Sequence, residues 1–143
     1  MLSTAAVVVC ALNLLGRSSA VAPIKFLASP PPGASRNAEA FIVREPATIY
    51  LITSTPAFRA ASQGDFRYDS REGCQKIASI IVHEEWHLRY GADERGAYQA
   101  QLTALALLGA SSPLISSVRQ SMLAVLDKSR QPQLLGRYAS RND

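Results

Sequence analysis

Apolar and polar positions divide the chain into an uncharged N-terminal run, a turn-rich stretch, a short strand region and three stretches of helical period. Residues 47–53, ATIYLIT, are β-branched and aromatic and are bounded by Pro46 and by Ser-Thr-Pro, which predicts a strand. AFIV at 40–43 predicts a second, separated from the first by Arg-Glu-Pro. Residues 57–70 mix turn formers with aromatics and leave room for a short helix before Gly64. From about Ser70 the apolar spacing becomes three and four, through Ile77, Ile80 and Ile81, and predicts a helix that Gly91 ends.

Two more helices follow. Asp93 is a good N-cap for one that runs to Gly109. Ser112 with Pro113 opens the other, which carries a stripe of Leu114, Val118, Met122, Val125 and Leu126. Leu102, Leu105 and Leu108 then face Val118, Met122 and Val125 as a core. These elements predict an α+β domain over residues 47–130, a short β-sheet packed on one helix and followed by two further helices. Residues 23–46, with Pro30, Pro31 and Pro32, read as a linker and lead-in, and residues 131–143 as a flexible basic tail.

Composition narrows the partners. At 143 residues and 48% hydrophobic, the chain has room for one small core. The net charge of +4 arises from Lys and Arg scattered singly, so no basic stripe is present and no nucleic-acid partner is predicted. Residues 2–15, LSTAAVVVCALNLL, are uncharged and lead into small residues at Ser18, Ala20 and Ala22. They read as a signal peptide spanning 1–22, hence an exported protein, periplasmic or secreted; an uncleaved membrane tether through 2–15 and an ordinary apolar helix are the alternatives. Removal of the segment takes Cys10 with it and leaves Cys74 alone, a buried small hydrophobe without an intramolecular disulfide.

The candidate chemistry lies in VHEEWHLRYGADERGAY, residues 82–98, which contains both histidines of the chain. Residues four apart share a helix face, so His83 and His87 converge on one point, and Glu84, about 100° round the helix, reaches a water there without ligating the metal. Two neutral imidazoles at this spacing suit Zn2+, which needs a third protein ligand and keeps one position for water. In a straight helix Glu94 would lie about 10.5 Å beyond His87, out of reach. Gly91 can turn the chain back, after which Asp93 or Glu94 can ligate; Glu94 is favoured because Asp93 has the helix to cap and Glu94 shares a face with Ala97, Tyr98 and Gln101. Glu85 and Trp86 point away from this face, Glu85 as a solvent-facing charge or a partner for Arg89 and Trp86 as a packing anchor.

His83, Glu84 and His87 resemble the H-E-x-x-H signature of zincin metallopeptidases, and the glutamate of D-E-R-G-A-Y on a following helix looks like the gluzincin arrangement in a minimal single-domain form. The resemblance covers the strand at 47–53 and the helices from 70 to 109. It implies His83, His87 and Glu94 as zinc ligands and Glu84 as general base and acid in hydrolysis of a peptide or protein substrate by a zinc-activated water. Familiar gluzincins have a longer interval before the glutamate; the metzincin pattern would want Gly at position 90, which is Tyr90, and ranks second. Tyr98 is the candidate oxyanion donor, ahead of Tyr90 and Arg95, and the strand ATIYLIT offers either an edge for an extended peptide or a buried strand. The alternative function is a catalytically inactive zincin-like binding or regulatory protein with a structural or empty histidine site.

Overall fold

The computed structural model describes residues 2–63 and 70–129. The element order is α1 (Thr4–Leu14), β1 (Ile24–Leu27), β2 (Ala40–Arg44), β3 (Ala47–Ile52), α2 (Pro56–Gln63), α3 (Ser70–Tyr90), α4 (Glu94–Leu107) and α5 (Ser112–Ser129). The fold is α+β, and the predicted tail at 131–143 lies outside the described residues.

The three strands form one mixed sheet in the order β1-β3-β2. β3 is therefore the central strand, which decides between the two readings of ATIYLIT: its apolarity serves burial, and the sheet edges are β1 and β2. It pairs antiparallel with β2, Ile42 opposite Ile49, and parallel with β1, Ile24 opposite Ile49. Ile49, Leu51 and Ile52 are fully buried, each stabilising the fold by about 1.5–3 kcal/mol. Two of the three strands come from residues 23–46, the segment expected to be lead-in; the turns between Ser29 and Asn37 are the part that remains irregular.

α3 is the axis of the domain. Its helical period buries Cys74, Ile77, Ala78 and Ile81 against α1 and the sheet. α2 crosses so closely that a Cβ at Gly73 would lie 2.8 Å from Ala61 Cα, and only glycine fits there. α4 and α5 complete the opposite side, where Leu105 and Val118 are fully buried, while the remaining apolar residues of α5 are at most half-buried. The side chain of Ser111, one residue before the predicted cap, receives the Leu114 N–H at 3.3 Å.

The N-terminal run folds as α1, with Val7 and Ala11 buried in the same core and Leu12 buried as well. Cys10 is bonded to Cys74, so Cys74 is buried as predicted but is not a free thiol. Among the described residues no helix is long and apolar enough to cross a membrane.

Candidate metal centre

α3 carries His83 and His87 one turn apart, and both are buried. The helix stops after Tyr90 because Gly91 takes a φ of 108°, a left-handed conformation that side chains with a Cβ rarely adopt. The Gly91 N–H returns to the His87 carbonyl at 3.0 Å, and the Arg44 guanidinium of β2 donates to the same oxygen at 3.1 Å. Asp93 caps α4, accepting the Arg95 N–H at 3.1 Å. Glu94 therefore opens α4 with its side chain turned back toward α3, and it, rather than Asp93, joins the histidines.

The three side chains meet at a point. Glu94 Oε1 lies 2.6 Å from His87 Nε2 and 3.2 Å from His83 Nε2, and the two Nε2 atoms are 3.2 Å apart. The other nitrogen of each ring is already committed. His87 Nδ1 donates to the Gly91 carbonyl at 2.8 Å. His83 Nδ1 donates to Gln101 Oε1 at 2.8 Å, the Gln101 amide nitrogen donates to Ser79 Oγ at 3.2 Å, and the Ser79 hydroxyl donates to the Lys76 carbonyl at 2.7 Å. With the amide oriented by this chain, both Nδ1 atoms are the protonated ones in the neutral rings.

Both Nε2 lone pairs consequently point at a carboxylate oxygen and at each other. Three acceptors at such distances repel unless a cation lies among them. A proton satisfies one pair; a divalent metal satisfies all three. Tetrahedral bonds of about 2.1 Å place neighbouring donors roughly 3.4 Å apart, close to the two 3.2 Å separations observed. His83, His87 and Glu94 are thus a group that can hold a metal ion. Each histidine also has the outer-shell acceptor that metal-bound imidazoles normally show.

Electrostatics agree with this arrangement. Without a metal, protonated imidazoles take the cation's place: burial pushes the Glu94 carboxyl up, but hydrogen bonds from His83 and His87 and then their positive charge outweigh it and hold its pKa at about 2. Glu94 is therefore ionised and available as a ligand over the physiological range.

Glu84 is buried at 5% exposure beside the histidines. The Tyr98 ring stands edge-on to the His83 ring, with centroids 4.6 Å apart. Burial, followed by the negative charges of Glu94, Glu39 and Glu84, raises the Tyr98 phenol well above its ordinary range, so it keeps its proton. The weaker oxyanion candidates lie elsewhere. Tyr90 is 64% exposed, its ring resting on Trp86 at 5.0 Å, and Arg95 is exposed on α4.

Glu85 departs from the sequence expectation. It is neither solvent-facing nor paired with Arg89: Arg17 grips it with two hydrogen bonds of 2.9 and 2.6 Å, and the Val21 N–H adds a third at 2.9 Å. Trp86 is the packing anchor expected, its indole occupying the space that a Cβ at Gly96 would fill.

Gln101, Ser79 and the Gly91 carbonyl are the site residues whose roles sequence reasoning missed. Gln101 did carry a signal: it stands two turns beyond Glu94 on a face otherwise bound for burial, where an amide requires a partner. The open groove of about 880 Å³ between α1, α3 and α4, lined by Leu14, Trp86, Gln99 and Thr103, includes none of His83, His87 and Glu94. Comparison of the chain with protein-family models, with curated proteins and with solved structures finds no match.

Proposed function

We propose that the protein is a zinc-dependent metallopeptidase of minimal, gluzincin-like build, acting on a peptide or protein substrate. The observation that carries the reading is the convergence of His83 Nε2, His87 Nε2 and Glu94 Oε1, with Glu84, the residue after His83, buried. His83, His87 and Glu94 would hold Zn2+, which when bound would supply Lewis acidity and a water of lowered pKa. The Glu84 carboxylate takes the proton of the attacking water and delivers it to the leaving amine nitrogen. The Tyr98 phenol, held protonated, donates to the carbonyl oxygen as negative charge develops on it. Gln101 and the Gly91 carbonyl fix the two imidazoles in the ligating tautomer.

Export is part of the proposal. A disulfide persists in oxidising compartments, and the Cys10–Cys74 bond places one partner inside the segment that would direct export. The form of export that agrees with a buried α1 is one in which residues 1–22 stay attached.

Metal content and hydrolysis, measured together on wild type, His83→Ala, Glu94→Ala and Glu84→Gln, test the function. One zinc per chain, lost in the first two variants and kept in Glu84→Gln while hydrolysis disappears, is the expected result. Zinc retained with no hydrolysis of any peptide by wild type would instead favour an inactive zincin-like protein with a structural site. That second reading is supported by the burial of His83 and by the position of the large groove away from the ligands. Absence of metal after loading would sink the metallopeptidase and the structural-site reading and leave only the inactive form with an empty histidine site.

A further inference from the structure

The face of α3 opposite the ligands is held by the N-terminal segment at two points. At about 100° per residue, with His83 at 0°, His87 falls near 40° and the ligand face is centred between them. Glu85 then falls near 200° and Cys74 near 180°, both on the back of the helix. Cys10 is bonded to Cys74. Arg17 meets Glu85 through both guanidinium prongs, and the Val21 N–H completes the carboxylate. On the same helix as Cys10, Val7 and Ala11 are fully buried in one cluster with Ile77, Ala78 and Ile81.

Such an arrangement opposes rotation of α3 about its axis. Side chains reach about 5–6 Å from a helix axis, so a turn of 10° moves a ligand atom by roughly 1 Å. Glu94 belongs to another helix and would not follow. The separations of 2.6 and 3.2 Å that bring Glu94 together with the histidines depend on the angle being kept. A bidentate Arg–carboxylate pair is suited to this, since its planar fork fixes direction as well as distance.

We propose that Arg17 and Glu85 form a positioning pair by which the N-terminal segment sets the rotation of α3 at the metal cluster, and that this segment is therefore retained in the functional protein. The inference rests on the metal-site reading above. Arg17 and Glu85 touch neither metal nor substrate; they act through His83 and His87. Removal of residues 1–22 would take away α1, Cys10 and Arg17 together, and with them both the guanidinium and the Val21 N–H that hold the Glu85 carboxylate.

The test uses the full chain as wild type, Arg17→Met, Arg17→Lys, Glu85→Gln, the Arg17→Met/Glu85→Gln double variant and Arg89→Met. Zinc affinity is read by competition with a chromophoric chelator and site geometry from the visible spectrum of the Co2+ form. Arg17→Met should weaken zinc binding about tenfold and alter the cobalt bands. Arg17→Lys should recover part of the affinity, the double variant should be no worse than Glu85→Gln, and Arg89→Met should match wild type. Wild-type affinity and spectrum in Arg17→Met would overturn the pairing while leaving the metal site standing, whereas a wild type that binds no metal overturns both. Should Arg17→Met not fold, the intact mass of the protein from its native host decides: a chain retaining residues 1–22 supports the proposal, and one beginning between residues 19 and 23 overturns it.

Discussion

Replacing Gln101 with leucine isolates the outer shell of the site, because no ligand is touched and the volume is nearly kept. Gln101 is 4% exposed and accepts the His83 Nδ1–H at 2.8 Å. Leucine leaves that N–H buried without an acceptor, a cost of about 1–3 kcal/mol. Part of it falls on the free protein, where His83 can reorient; the rest appears in metal binding, where His83 must present Nε2. Outer-shell losses of this kind lower metal affinity by about 10- to 100-fold, or about 1.4–2.7 kcal/mol. Ser79 loses the Gln101 donor but keeps its own bond to the Lys76 carbonyl, so collapse of α3 is not expected. Gln101→Glu supplies the same acceptor position with a carboxylate and should bind at least as well as wild type. Competition titration of zinc gives the affinities, and circular dichroism establishes that each variant is folded. A folded Gln101→Leu protein with wild-type affinity would refute the claim that this hydrogen bond selects the ligating tautomer, and with it the reading of the Lys76–Ser79–Gln101–His83 chain as a built support.

Acid titration of the metal-free protein should reveal Glu94. Its folded pKa of about 2 lies below the ordinary 4.5, so its contribution is complete above the ordinary value and is lost as pH falls from there toward 2. The shift, 4.5 − 2 = 2.5, corresponds to about 3 kcal/mol, which partial exposure of the side chain screens to about 1–2 kcal/mol. Metal-free Glu94→Gln should lack that acid-side loss in urea titrations between about pH 5 and 2, and identical profiles would contradict the hydrogen-bonded cluster. Gly96→Ala tests the α3–α4 contact with an unusual sign. Alanine at a helical glycine normally adds up to about 1 kcal/mol, but here its Cβ meets the Trp86 indole, so we expect a net loss of about 1–3 kcal/mol and weaker metal binding as the start of α4 is displaced. Trp86→Leu should relieve the Gly96→Ala defect, and a Gly96→Ala protein more stable than wild type would contradict the packing.

What the sequence made legible is what acts over one or two helical turns. The pairing of His83 with His87 needs only helix geometry, and the return of Glu94 needs only a glycine at 91 and a cap at 93; each is a local rule met by local residues. The long helices were readable for the same reason, since their apolar period repeats several times. β1 was not, because IKFL is a single short run with a lysine in it, and it becomes a strand by lying beside β3. The same limit explains Glu85. Arg89, four residues on, was its nearest cation in sequence, yet Arg17 from 68 residues away takes it, because the back of α3 is where α1 packs.

The N-terminal run shows why a compositional signature and a structural role can occupy the same residues. An export leader and a core helix both ask for an uncharged stretch of Ala, Val and Leu, and residues 2–15 satisfy both. Cys10 and Arg17 are what separate the two uses. A leader that is discarded has no need of a partner 64 residues away for its cysteine, nor of a bidentate carboxylate for its arginine, whereas a helix bracing α3 needs both. The cluster that can hold a metal would then be a layer in a sandwich, α4 supplying Glu94 in front and the N-terminal segment holding the angle behind. Disturbance on either side should be felt as metal affinity before it is felt as loss of the fold, since a rotation too small to expose Ile77 or Ile81 is already enough to part Glu94 from the histidines.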